Sequence, residues 1–201
     1  MATNIAVQRL QREFAEIVSD KEIKETGIEM RSVNDSLSRF DATIRGPPDS
    51  PYVGGTFKLD VRIPDEYPFQ PPKIKFITRI WHPNISSQTG TICLDILKDQ
   101  WAASMTLRSV ILSIQMLLTA PEPSDPQDAV VASQYLKNKQ LFVETAKFWS
   151  QHYADADGEK NADFLHKIEQ LQEMGAAPAE CVTVLSNCSW DVAKATESLF
   201  S

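Results

Sequence analysis

The sequence predicts an α+β fold: a four-stranded antiparallel sheet with flanking helices, followed by a small three-helix domain. Apolar residues first recur at helical spacing, then alternate with polar residues in short segments, and return to helical spacing after residue 104. The linkers between successive alternating segments are short. Short linkers favour an antiparallel meander, because parallel strand pairs need long crossover connections.

The first helix is predicted by Val7, Leu10, Phe14 and Ile17, whose spacing of three and four places them on one face. On this helix Arg9 and Arg12 lie together on a more exposed side. Four strands are then predicted, around residues 28–30, 40–44, 57–63 and 74–76. The third is the clearest, because its apolar residues alternate strictly with charged ones.

A long irregular stretch, residues 68–104, contains only one short strand, and loops of this length in a compact domain are usually functional. The apolar stripe over residues 107–118 predicts a helix that begins after Thr106 and stops before Pro121. A last core helix is predicted from about Asn138 to Tyr153.

The chain is predicted to divide into a core of residues 1–154, a linker of residues 155–160 and a three-helix domain of residues 161–201. Residues 155–201 hold nine acidic and three basic residues, so they account for −6 of the net charge of −7. This asymmetry indicates a separate unit. Three helical patterns lie in it, at about residues 161–173, 178–186 and 190–200.

Composition excludes several classes of protein. Hydrophobic residues make up 42% and charged residues 23%, which are globular proportions. No apolar stretch approaches the roughly 20 residues that span a bilayer, so no membrane association is expected. Neither part of the chain shows the basic face of a nucleic-acid-binding protein. The first residues lack a basic region followed by an apolar run, so we expect no secretory signal. With three cysteines and no such signal, we expect no disulfide framework. The expected compartment is therefore a reducing one, the cytoplasm or the nucleus.

Cys93 lies in the irregular stretch, between turn-forming residues and two nearby acids. A buried structural cysteine is the commoner fate of a free thiol, whereas this context favours a partly exposed one, and composition leaves both readings open. His82 raises the alternative of a cysteine–histidine protease. Its neighbours Trp81 and Pro83 instead suit a histidine that is fixed by local hydrogen bonds.

No metal site is predicted. Cys181 and Cys188 lie seven residues apart, without the CxxC or HxxxH spacing of zinc ligands, and are read as helix-packing residues.

Four motifs in order resemble the catalytic core of the ubiquitin-conjugating enzymes. They are Tyr67-Pro68-Phe69-Gln70-Pro71-Pro72, Trp81-His82-Pro83-Asn84, Ile92-Cys93-Leu94-Asp95-Ile96-Leu97 and Trp101. The resemblance runs from the first helix to about Tyr153 and implies the ubiquitin-conjugating fold. The tail resembles a ubiquitin-associated (UBA) domain, with Met-Gly after its first helix. Together they resemble the UBA-tailed class that builds degradation-type polyubiquitin chains.

The resemblance implies that Cys93 accepts ubiquitin as a thioester and that a lysine of a substrate or of another ubiquitin attacks it. Asn84 matches an asparagine that either donates to the tetrahedral oxyanion or braces its loop. Asp95 and Asp125 match family acids that orient the lysine and take its proton, with turn and cap chemistry as the alternative. No cofactor is expected to be bound, because ATP is consumed upstream by the activating enzyme.

The implied partners are ubiquitin, the activating enzyme, ubiquitin ligases and substrate proteins. Arg9 and Arg12 match the basic face that relatives present to the activating enzyme, and an ordinary solvated helix face is the alternative. Phe69 matches an apolar ligase contact, unless it packs under Pro71 and Pro72.

In the tail, Met174, Gly175 and Leu199 match an apolar ubiquitin-binding patch. UBA domains commonly have an aromatic residue after Met-Gly, where this chain has Ala176. Losing an aromatic ring from such a contact costs about 1–3 kcal/mol, so the alternative is a tail that mainly packs on the core.

Two rival functions keep the same fold. One is a binding module like the inactive variants of the family, against which Cys93 argues because those variants lack the cysteine. The other is an enzyme for a ubiquitin-like modifier, and the UBA-like tail favours ubiquitin instead.

Overall fold

The computed structural model describes residues 4–201, which form a sheet-and-helix core and a helical tail. The core elements are α1 (Asn4–Ser19), α2 (Lys21–Glu25), β1 (Glu29–Val33), β2 (Ser36–Arg45), β3 (Thr56–Arg62), β4 (Lys73–Phe76), a short 3-10 helix (Asp95–Leu97), α3 (Leu107–Leu117), α4 (Ala129–Lys137) and α5 (Lys139–Tyr153). The tail elements are α6 (Ala162–Glu173), α7 (Pro178–Asn187) and α8 (Val192–Phe200). No helix among the described residues is long and apolar enough to cross a membrane.

The four strands form one antiparallel sheet in the order β1-β2-β3-β4, so each strand pairs with its neighbour in sequence. The alternation that predicted the strands defines the two faces of the sheet. Phe40, Leu59 and Val61 point inward and are almost fully buried. On the other side of β3, Lys58 and Arg62 are exposed, whereas Asp60 is buried and paired with Arg39 and Arg62. The predicted α+β fold class is therefore confirmed.

A buried carboxylate, that of Glu13, joins α1 to two other parts of the core. It accepts hydrogen bonds from the Tyr67 hydroxyl (2.8 Å) and from the backbone N–H of Leu107 at the start of α3 (2.9 Å). Arg9 Nε donates to its other oxygen at 2.6 Å. Only 3% of the Glu13 side chain is exposed, so these bonds satisfy a charge that would otherwise be costly to bury.

The expectation that Arg9 and Arg12 share an exposed face is wrong for Arg9. Its guanidinium turns inward and also donates to the carbonyls of Ala103 (2.5 Å) and Met105 (2.6 Å). Arg12 is exposed, as expected. Of the two arginines, Arg12 is therefore the one that is free to meet a partner.

Two helices were not located from the sequence. Helix α2 has five residues, of which only Ile23 is buried, so it is too short to show a helical period. Helix α4 follows a proline-rich stretch and is capped by Asp128. Its buried residues are Val131, Ala132 and Gln134. Because Gln134 is polar, the buried face of this helix does not show as an apolar stripe in the sequence.

The tail packs against α5 through a set of aromatic side chains. Trp149 on α5 donates its indole N–H to Ser186 on α7 (2.8 Å), and Trp190 before α8 donates to Thr145 on α5 (2.9 Å). The ring of Phe148 meets that of Trp190 edge to face, with centroids 5.4 Å apart. Tail and core therefore share one buried interface.

The segment between core and tail also lies against the core. The Ala154 carbonyl accepts from the N–H of Thr56 on β3 (2.8 Å), and Gln151 on α5 donates to the carbonyl of Glu159 (3.2 Å). These bonds fix the direction in which the chain leaves α5.

Candidate active site

The irregular stretch after β4 folds back on itself and delivers Cys93 to a fixed place. Thr91 bridges Lys75 of β4, Ile92 bridges Ile85, and the Cys93 N–H donates to the Asn84 carbonyl at 2.8 Å. Gly90 makes the return possible: its φ is +72°, and a Cβ there would lie 1.9 Å from a backbone carbonyl oxygen. Cys93 is only 9% exposed, so it is more buried than its sequence context indicates.

Two oppositely charged side chains flank the thiol. Lys98 Nζ donates to Cys93 Sγ at 3.2 Å, and the thiol lies 3.5 Å from Asp125 Oδ2, to which it donates. The hydrogen bond with Cys93 raises the pKa of Lys98. Lys98 is not predicted from the sequence as a site residue, because a spacing of five residues from Cys93 matches neither the period of a helix nor that of a strand. The 3-10 turn between them brings it back over the sulfur.

The two predicted acids have different surroundings. Asp125 is exposed and lies beside the sulfur. Asp95 is also exposed, but its carboxylate accepts from the N–H of Ile96 at 2.7 Å at the start of the 3-10 helix. Among the described residues, no hydrogen bond joins Asp95 to Cys93. The structure therefore brings Asp125, and not Asp95, into direct contact with the thiol.

The side chain of Asn84 is fully engaged with the loop opposite Cys93. Its Nδ2 donates to the carbonyls of Glu122 (2.8 Å) and Asp125 (3.0 Å), and its Oδ1 accepts from the Glu122 N–H (2.7 Å). Only 2% of Asn84 is exposed. An amide group has two N–H donors, and both are used here, which favours the bracing role over donation to an oxyanion.

Neighbouring bonds hold the same loop from the other end. The Pro83 carbonyl accepts from the N–H groups of Gln127 (2.9 Å) and Asp128 (3.0 Å). Ser87 donates its N–H (3.1 Å) and its hydroxyl (2.6 Å) to the Asp128 carboxylate. Asp125 therefore lies in a loop that is fastened on both sides.

His82 is buried and both of its ring nitrogens are occupied. Nε2 lies 2.9 Å from the Leu117 carbonyl, and Nδ1 accepts from the Asn84 N–H at 3.0 Å. Since a carbonyl only accepts, the proton resides on Nε2. Burial lowers the pKa of His82 to about 4. A histidine with no free nitrogen does not serve as a base, so the geometry does not support the protease alternative.

Phe69 is 82% exposed, so the alternative that it packs under Pro71 and Pro72 is wrong. The turn that displays it is held by Trp101, whose indole N–H donates to the Pro68 carbonyl at 2.8 Å. Such a large exposed ring on a braced turn is suited to contact with a partner.

In the tail, Gly175 ends α6 with a φ of +98°, and the Ala176 N–H donates back to the Leu171 carbonyl. Met174 is 53% exposed, and its sulfur accepts from Thr196 on α8 at 3.5 Å. Leu199 is half-buried on the same helix. The structure thus brings the Met174 side chain to α8, on which Leu199 also lies, and it leaves Met174 and Gly175 open to solvent.

The two tail cysteines are packing residues. Cys181 is buried and its thiol donates to the Ala177 carbonyl at 3.3 Å, while Cys188 is half-buried. Burial raises the pKa of both thiols. Across residues 4–201 no group of three histidine, cysteine or acidic side chains is arranged to hold a metal ion.

Comparisons with known proteins identify families for both parts of the chain. Residues 9–150 match the family model described as ubiquitin-conjugating enzyme, and residues 167–199 match the UBA/TS-N domain. The chain is 52% identical over 198 residues to human ubiquitin-conjugating enzyme E2 K, covering 98% of each chain. It is 54% identical over 198 residues to Drosophila melanogaster ubiquitin-conjugating enzyme E2-22 kDa, covering 98% of this chain and 99% of the other.

Solved structures give the same picture for the core. A ubiquitin-conjugating enzyme domain from Toxoplasma gondii superposes with a TM-score of 0.68 at 49% identity, covering 74% of this chain and 98% of that one. A putative ubiquitin-conjugating enzyme from Plasmodium yoelii gives a TM-score of 0.70 at 45% identity, covering 77% of this chain and 98% of the other.

The depressed pKa of His82 makes a prediction about stability. Between pH 6.5 and pH 4 the unfolded chain binds a proton at this residue and the folded chain does not, so stability is complete above pH 6.5 and falls with decreasing pH. We expect this group to remove about 2 kcal/mol of unfolding free energy between pH 7 and pH 5. Urea unfolding at both pH values measures it. His82→Gln should lose this component, whereas the exposed His166→Gln should keep it; equal pH dependence in all three proteins contradicts the assignment.

Proposed function

The chain belongs to the ubiquitin-conjugating enzymes, and we propose that it accepts ubiquitin from an activating enzyme as a thioester on Cys93 and transfers it to a lysine amine. The observation that supports this most directly is the placement of Cys93 Sγ between a cation and a carboxylate, without a histidine base. A carrier thiol needs no dedicated base, because exchange between thioesters is nearly isoenergetic.

Loading is a thioester exchange. Cys93 Sγ attacks the thioester carbonyl held by the activating enzyme, the new S–C bond forms, and the thiol of that enzyme leaves. The attacking species is the thiolate, and the ammonium of Lys98, 3.2 Å away, stabilises negative charge on the sulfur. ATP is consumed upstream in this scheme, so the protein itself needs no bound cofactor.

Discharge is the attack of a lysine amine on the thioester. The amine must be neutral, and its unperturbed pKa is about 10.4. Asp125, beside the sulfur, is placed to orient the incoming amine and to accept its proton. Asp95, the first residue of the 3-10 helix, is two residues from Cys93 in sequence and supplies a second exposed carboxylate to this part of the surface. Asn84 then acts by keeping the loop that carries Asp125 beside the thiol.

We further propose that the enzyme extends polyubiquitin chains of the degradation type, with the tail holding a ubiquitin. Met174 and Gly175 remain exposed, while Ser186 and Trp190 hold the tail to α5. We assign Arg12 on α1 to the surface that contacts the activating enzyme. The exposed Phe69 is assigned to the surface that contacts a ligase.

Mixing the protein with activating enzyme, ubiquitin and ATP should give an adduct that thiol reductant removes, read by gel shift with and without reductant. Cys93→Ser should give a reductant-resistant ester instead, because an oxygen ester is not cleaved by thiols under these conditions. Cys188→Ser, the half-buried tail thiol, should behave like the unchanged protein. Absence of any adduct, or a labile adduct on Cys93→Ser, disproves the assignment, and replacing ubiquitin with other modifiers tests the rival modifier.

Asn84→Ala separates bracing from direct catalysis. Losing its three hydrogen bonds to the backbone of Glu122 and Asp125 should cost about 2–4 kcal/mol of unfolding free energy, together with slower discharge to lysine. Asn187→Ala, an exposed position at the end of α7, should change stability by less than about 0.5 kcal/mol. If Asn84→Ala keeps full stability yet loses discharge, Asn84 acts on the oxyanion and the bracing role is wrong.

Deleting residues 155–201 should leave the Cys93 adduct intact but slow chain extension by about fivefold or more, since an apolar contact of this kind is worth about 1–3 kcal/mol. The matched variant Met174→Ala/Leu199→Ala keeps the docked tail and should slow extension to a similar degree. Gel-based rates of di-ubiquitin formation measure both. Unchanged extension in both proteins contradicts the role of the tail, and a lost adduct contradicts the predicted domain boundary.

A further inference from the structure

A basic groove lies beside the active site, on the outer face of β3 and β4. It is lined by the cationic side chains of Arg62, Lys73, Lys75 and Lys98, and all four residues are exposed. Its volume of about 450 Å³ is in the range of ligand sites in proteins, about 300–1,000 Å³. The groove ends at Lys98, the residue that contacts the catalytic sulfur.

The positive charge of the groove is not neutralised from within. Asp60 is the one acidic residue that lines it, and its carboxylate is already shared by Arg39 (2.7 Å) and Arg62 (2.8 Å). Within the described part of the chain, Lys73 and Lys75 form no ion pair. A further carboxylate lies at the thiol, where Asp125 Oδ2 accepts from Cys93.

Apolar residues also line the groove, and its direction is set by the sheet. Pro72, Ile74 and Ile92 line it and are buried. Lys75 pairs with Thr91, and the two segments run antiparallel. Going from Lys75 to Lys73 therefore leads in the same direction as going from Thr91 to Cys93. A peptide that follows the groove is therefore led towards the thiol.

We propose that the basic groove binds an acidic segment of the acceptor protein, roughly two to five residues from the lysine that attacks the thioester. Charge complementarity identifies the occupant. The attacking lysine of the acceptor lies beside the carboxylate of Asp125, and the acidic residues near that lysine pair with Lys73 and Lys75. This inference rests on the proposed function, since it gives the substrate class of the same site. Lys75 lies opposite Thr91, two residues before Cys93, and an extended backbone rises about 3.3 Å per residue, so the acidic groups are expected a few residues from the lysine.

The test is single-round discharge of the ubiquitin-loaded protein after the activating enzyme has been stopped with EDTA. Two peptides are compared: one has a single lysine with three nearby glutamates, and the other has serines in their place. An exposed ion pair is worth at most about fivefold, and Lys73 and Lys75 allow two such pairs, so we expect the acidic peptide to react about three- to tenfold faster. The preference should disappear in 0.5 M NaCl, because salt screens exposed charges.

Charge reversal identifies the groove as the cause. Lys73→Glu/Lys75→Glu should abolish or invert the preference for the acidic peptide, while discharge to free lysine stays unchanged. The control Lys24→Glu/Lys147→Glu makes the same change in net charge at exposed positions elsewhere, and it should keep the preference. Equal rates for the two peptides, or equal loss of preference in both variants, overturn the inference.

The two proposals fail in distinguishable ways. If no thioester forms on Cys93, the proposed function is wrong and this inference falls with it. If the thioester forms and discharges to free lysine without any preference for the acidic peptide, only the basic groove is wrongly assigned.

Discussion

The segment His82-Pro83-Asn84 is the constraint on which the active site depends. Polar groups that are buried in a protein interior must find hydrogen-bond partners, because leaving one unpaired costs its full desolvation energy. The Pro83 carbonyl and the Asn84 amide find theirs on residues 122–128. The loop that carries Asp125 therefore cannot drift from Cys93 without breaking several buried bonds at once.

The same segment explains why the histidine of the motif takes no part in proton transfer. Its burial and its two hydrogen bonds keep it neutral and oriented, so that it supports the Asn84 backbone instead of meeting the thiol. In the proposed mechanism, Lys98 and then Asp125 assist the sulfur of Cys93, which both residues contact. A cation is useful while the sulfur is becoming an anion, and a carboxylate is useful once the sulfur is acylated and an amine approaches.

The parts predicted from sequence are those with a regular period or a local cap. Alternation gave β3 its two faces, and Thr106 caps α3 as expected, with its side chain bonded to the Ser109 N–H. The four motifs identified Cys93. What sequence reasoning could not locate depends on contacts between distant residues: the inward turn of Arg9 towards Ala103, and Lys98 folded over the sulfur. Short helices such as α2 were missed because five residues do not reveal a period.

The docked tail has a consequence for how its bound partners are positioned. A module on a flexible linker samples a volume, and linker length then sets the effective concentration of whatever it binds. Here Trp149, Trp190 and the bonds at Ala154 hold the tail to α5, so its open side has one location relative to Cys93. If the tail holds a ubiquitin, as proposed, that ubiquitin is presented to the thiol at one fixed distance, and this distance contributes to the selectivity of chain extension.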